Sequence, residues 1–142
     1  MIQPQPDDDL ALYLRATRTF ALLAERSAEA EGLTLAQMRL LFTLLDIGVA
    51  SCSALASQLH VSVSSVTRLI ARPAMVPLVS RRVSPVNASA IELTLTADGV
   101  EIVRRVTETR KKLLRAALAE AGPDTEVGLQ HVIDRLDESI PT

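Results

Sequence analysis

The stretch SALASQLHVSVSSVTRLIARP, residues 53–73, admits few folds. Apolar residues recur at helical spacing on both sides of a short interruption around His60. This predicts a helix over about Ser53–Leu59 with Ser53 as its cap, then a turn, then a second helix capped by Ser62. Histidine is among the few non-glycine residues enriched at positive φ, so His60 reads as a turn residue, not a catalytic one. In the second helix Val63, Val66, Leu69 and Ile70 mark one face, and Ser64, Arg68 and Arg72 the opposite one. Ser65 and Thr67 flank that outer face. Pro73 must end or kink the helix, because it lacks an amide proton and clashes one turn back. Two short helices on a tight turn, the second polar outside, form a helix-turn-helix. Leu55, Ala56, Leu59, Val61, Val66 and Leu69 are the residues expected to pack its halves together, with Ala56 small where the helices cross.

Charge singles out the same region. The formal net charge is −2. Between Ile47 and Ile91, however, there is no Asp or Glu, while Arg68, Arg72, Arg81 and Arg82 are all present. That segment is therefore +4 and the remainder −6. A basic middle between acidic flanks is the footprint of a polyanion-binding face on an otherwise acidic body.

The rest of the chain supplies a frame. A helix is predicted over residues 7–31, opening on three aspartates that suit the positive end of its dipole. Its apolar stripe of Leu10, Tyr13, Leu14, Thr17, Phe20, Ala21 and Ala24 is wide enough to require a partner. A second helix begins at a capping box, Thr34 with Gln37, stapled by Leu33 and Met38, and stops at Gly48. LVSRRV and AIELTL read as two strands around a polar turn, with Ile91, Leu93 and Leu95 inward. A long helix capped by Thr96 runs to Gly122-Pro123, and a last amphipathic helix covers residues 129–140, with His131 on its polar side. The Arg110-Lys111-Lys112 run, flanked by Glu101 and Glu108, reads as a solvated face. The expected class is mainly α with a small two-stranded antiparallel hairpin: a winged helix-turn-helix at 33–95, with dimerisation helices at 7–31 and 97–140, in a single domain spanning 1–142.

Composition excludes other classes. With 142 residues and 48% apolar content, the chain can bury a core. No apolar run is long enough to span a bilayer, and the acidic, proline-rich start does not resemble a secretory signal, so a cytoplasmic protein with no membrane association is expected. Cys52 is the single cysteine, which excludes a disulfide framework; with no cation beside it, it reads as a small buried residue, not a reactive thiol. No carboxylate pair, metal-ligand cluster or nucleophile–base set is present, so neither an enzyme nor a cofactor is expected.

The outer face of the second short helix fits duplex DNA. An α-helix fills the major groove with its N-terminal residues on base edges. Ser62, Ser64, Ser65 and Thr67 are short donors and acceptors; Arg68 and Arg72 can reach guanine or phosphate. Arg81 and Arg82, in the first strand of the hairpin, are placed for backbone phosphates.

This order of motifs resembles the MarR family of winged-helix transcriptional regulators over nearly the whole chain. LTLAQMRLLFTL is similar to the family's second helix, SALASQLHVSVSSVTRLI to its helix-turn-helix, and LVSRR with LTLTADG to its wing strand and the start of its long helix. The resemblance implies a homodimer held by the first and last helices. It also implies a small-molecule effector, often an aromatic acid, that binds between the dimerisation and DNA-binding parts and releases DNA. The function so indicated is a ligand-responsive, sequence-specific repressor. Two departures bear on this. The family's Asp-x-Arg at the wing tip is replaced by Asn87 and Ser89, and prolines stand at 73 and 77 where Leu and Gly are usual. Weaker DNA binding and a recognition helix ending by about Arg72 are the expectations. A dimeric protein-interaction module of the same fold, with weak or lost DNA binding, is the alternative.

Overall fold

The computed structural model describes residues 6–119 and Leu129, with side chains from Leu10 onward. The Gly122-Pro123 stop, the expected last helix beyond Leu129 and His131 lie outside them. The chain divides into two compact units, Met1–Arg110 and Lys111–Thr142.

In chain order the elements are α1 (Pro6–Glu29), α2 (Leu35–Ile47), β1 (Ala50–Ser51), α3 (Cys52–Leu59), α4 (Val63–Ile70), β2 (Val79–Val83), β3 (Ile91–Leu95) and α5 (Ala97–Leu118). The helices start where local chemistry satisfies their free amides. At α2 the Thr34 hydroxyl accepts from the Gln37 amide while the Gln37 side chain accepts from Thr34 N, the reciprocal box expected. Gly48, at φ 86°, stops α2 and donates to Leu44 O. His60, at φ 54° and ψ 44°, closes α3 in the left-handed region. His60 N donates to Ser57 O and Val61 N to Ala56 O, the pair of bonds that ends a helix in a Schellman turn.

Two local expectations are corrected and one is extended. The cap of α3 is Ser51, whose hydroxyl accepts from Ala54 N, so the helix begins at Cys52 and not after Ser53. The antiparallel hairpin of β2 and β3 is present as expected, and β1 pairs antiparallel with β3 to give a three-stranded sheet in the order β1-β3-β2. The third strand answers the marginal stability of an isolated hairpin and seats Ala50 opposite Leu93 over the core. Within β3 only Leu93 is fully buried; Leu95 is half-buried and Ile91 is exposed toward the wing tip.

The core gathers Met38, Leu40, Leu41 and Leu44 of α2, Leu55, Ala56 and Leu59 of α3, Val66 and Ile70 of α4, Leu93 of β3, and Val103 and Val106 of α5. Met75 and Leu78, in the turns after α4, complete it. Cys52 packs against this core half-buried, not fully buried as expected. Val61, expected between the two short helices, is exposed, and so is Val63.

The start of α5 is locked to the root of the wing. Thr96 N donates to Leu78 O, and the Thr96 hydroxyl donates to Pro77 O while accepting from Gly99 N. Gly99 lies so close to the Leu78 carbonyl that a Cβ there would overlap it. Along α5 the bidentate Arg105–Glu31 pair, with its shortest contact at 2.8 Å, holds the helix to the α1–α2 corner. The guanidinium of Arg104 bonds Glu101 through two nitrogens and, with Arg105 nearby, keeps that carboxyl below its usual pKa.

The described chain leaves much apolar surface uncovered. Leu10, Leu12, Tyr13, Leu14, Phe20 and Leu22 of α1 are all exposed. In the second unit, Leu113 and Leu118 of α5 are exposed as well. Among the described residues no helix is long and apolar enough to cross a membrane.

Candidate nucleic-acid interface

Ser62 organises the start of α4. Its hydroxyl accepts from Ser65 N at 3.1 Å and lies 3.0 and 2.8 Å from the hydroxyls of Ser64 and Ser65. Arg68 reaches back one turn and donates to Ser65 Oγ at 3.3 Å. Thr67 donates to Val63 O at 3.0 Å. Four of the sequence-predicted residues, Ser62, Ser64, Ser65 and Arg68, therefore form one exposed hydroxyl–guanidinium cluster. Arg72 follows Arg68 by one turn and is exposed, with no ion pair among the described residues.

The helix itself is short. It ends at Ile70, with Ala71 still near helical angles, and turns occupy the chain up to Leu78. Pro73 accounts for this: it has no amide to bond and disfavours helical angles at Arg72. Helix α4 thus stops before Arg72, as Pro73 led us to expect.

The wing separates Arg81 from Arg82. Successive strand residues point to opposite faces, so these two side chains leave the sheet on different sides. Arg82 lies opposite Glu92 and is ion-paired with it at 2.9 Å. Arg81 has no such partner among the described residues. Arg81 and Arg82, both expected at backbone phosphates, are thus distinguished by Glu92, just past the acid-free segment, which pairs with one of them.

The wing tip is uncharged and self-satisfied. Ser84 Oγ accepts from the amides of Val86 and Asn87, and Asn87 Oδ1 accepts from the amide and hydroxyl of Ser89. Its most prominent side chain is Val86, 93% exposed.

Sequence reasoning named no effector residues, but a cleft of about 400 Å³ opens between α1, α2 and α5. Leu35, Met38 and Phe42 give it an apolar wall, and Arg39 and Arg110 its cations. Arg110 is not the solvated residue expected. It donates to Ser27 Oγ and Ala24 O, lies 5.0 Å from the Phe42 ring centre, and has its pKa lowered by burial.

A helix-turn-helix followed by a hairpin wing, whose sheet β1 completes, with a long helix on either side in sequence, is a winged-helix arrangement. Residues 33–88, from just before α2 into the wing tip, match the model of the MarR family. The whole described fold agrees. It superposes on RV1404 from Mycobacterium tuberculosis with a TM-score of 0.85 at 24% identity, covering 100% of this chain and 99% of that one. For apo MarR from E. coli the values are 0.73 and 18%, covering 96% and 98%. For a mutant of MepR from S. aureus bound to an oligodeoxyribonucleotide they are 0.70 and 16%, covering 92% and 96%. At these identities the likeness establishes the fold. No curated protein is similar enough in sequence to count as a relative.

Proposed function

We propose that this chain is a sequence-specific, duplex-DNA-binding transcriptional repressor that acts as a homodimer in the cytoplasm. The observation that carries the reading is the outer face of α4, where Ser64, Arg68 and Arg72 stand exposed in a segment free of carboxylates. Residues 33–95 form the DNA-binding part of this reading, and the uncovered apolar faces of α1 and of α5 serve dimerisation. A DNA-bound MepR mutant of the same fold supports it. The contacts proposed are Ser62, Ser64, Ser65, Thr67 and Arg68 in the groove and Arg72 and Arg81 on phosphates; Arg82 contributes less because Glu92 holds it.

The effector reading rests on the cleft at Arg110. Its apolar wall and two arginines suit an aromatic carboxylate, and no carboxylate of the described residues is bonded to Arg110. A ligand there would bridge α2, which carries the helix-turn-helix core, and α1 and α5.

Fluorescence anisotropy of the full chain with random duplex DNA against salt tests the function. Arg72 and Arg81 give four phosphate contacts per dimer, hence a log–log slope of roughly −4, or roughly −5 if Arg68 also meets phosphate. Absence of binding even at low salt would favour the second reading, a dimeric protein-interaction module. The uncharged wing tip and the Arg82–Glu92 pair are the observations on its side.

A further inference from the structure

We infer that the recognition helix identifies thymine by its 5-methyl group, through Val63 and Thr67; this rests on the duplex-DNA reading proposed for α4. The outer face of the helix is divided into two rows of residues four apart, which lie above one another on a helix. Ser64, Arg68 and Arg72 form a row of donors. Val63, Thr67 and Ala71 form a row beside it, and all six residues are exposed.

The second row presents methyl groups. Val63 opens the helix 45% exposed, whereas Val66, less than one turn further, is wholly buried. The fold leaves Val63 partly uncovered, so its isopropyl group is available to something outside the chain. The hydroxyl of Thr67 is turned back onto Val63 O at 3.0 Å. That bond occupies its only proton and fixes the side-chain rotamer, leaving the γ-methyl as the other branch.

In the major groove thymine is the one base whose edge carries a methyl group, and apolar side chains recognise it there. The first two turns of a recognition helix are the part that lies on base edges, and Val63 and Thr67 occupy them. The donor row alongside would take guanine or phosphate, so the two rows divide the groove edge between methyl and acceptor readout.

The test uses duplexes enriched by the full-length protein from a randomised pool, then resynthesised with deoxyuridine in place of thymidine. The wild-type chain is expected to lose affinity about three- to fivefold for each contacted methyl removed. In Thr67→Ser the hydroxyl bond remains and only the methyl goes; with Val63→Ala added, thymine and uracil duplexes should bind equally, at an unchanged salt slope. Equal binding of both duplexes by the wild type overturns the inference. So does a double variant that still discriminates, because other residues would then read the methyl. Failure to enrich any duplex would instead overturn the DNA-binding reading beneath it.

Discussion

Gly99 shows how one residue can fix a junction. The carbonyl of Leu78 occupies the space a side chain would need, and the same carbonyl accepts from Thr96 N. Gly99→Ala must therefore push backbone against backbone. We expect a loss of about 1–3 kcal/mol in stability, the usual cost of overpacking, read as a lower midpoint in chemical denaturation. Arg68 belongs to the proposed DNA-binding face instead. It is exposed and, among the described residues, bonded to Ser65 alone, so Arg68→Ala should leave folding intact. DNA affinity should fall by about 1–3 kcal/mol if its contact is to a base, measured by anisotropy on an enriched duplex. At this scale the sequence was readable where the determinants are local. The Thr34–Gln37 box, the positive φ of His60 and the Ser62 cap depend on residues within four of one another. Arg110 was misread because its partners Ser27, Ala24 and Phe42 come from other helices, and no local pattern announces them.

Elements are where tertiary context overrides pattern. A strand of two residues, Ala50–Ser51, has no periodicity to detect, and it exists because β3 offers it a ladder. Its presence also moves the cap of α3 from Ser53 to Ser51. Val63 was assigned inward because helical spacing allows it, but the crossing of α4 on its neighbours buries only Val66 and Ile70 fully. In the wing, the residue opposite Arg82 depends on hairpin register, which a long polar turn does not specify. The Arg82–Glu92 pair now yields a prediction. Glu92→Gln removes the competing carboxylate, and a freed Arg82 should steepen the salt dependence of DNA binding by up to about one unit per protomer. Arg82 stands largely in solvent although the Glu92 side chain is only 22% exposed, so the pair is screened and the loss of stability should be small. An unaltered slope would show that this face of the hairpin stays away from phosphate. Shortening of α4 by Pro73 belongs here as well. Pro73→Leu should extend the helix and raise helicity by circular dichroism, because the amide and the helical angles at Arg72 both become available.

For the whole molecule, the exposed apolar residues of α1 are too many for a protomer on its own. Leu10, Tyr13, Leu14 and Phe20 lie on one helix, and a patch of that kind marks an interface. We expect light scattering at micromolar concentration to report about twice the chain mass of 15.3 kDa. A monomer would remove the two-fold reading of half-sites, which needs two recognition helices about 34 Å apart. The general plan of helices, wing and long α5 was legible because each is announced by period and punctuation. Which side chains α4 leaves exposed was only partly legible, because it depends on how the helix is rolled against the core: Ser64, Arg68 and Arg72 were placed outward, Val63 was not.

The junction of wing and α5 has a consequence for motion. Thr96 N is bonded across the joint to Leu78 O, and the hydroxyl of the same residue donates across it to Pro77 O while capping Gly99 N within the helix. The Thr96 amide is released only when its bond to the root of the hairpin opens. Deuterium uptake at Thr96 should therefore run slower than at the exposed wing tip. Residue-resolved exchange at Thr96 would then time the detachment of the wing.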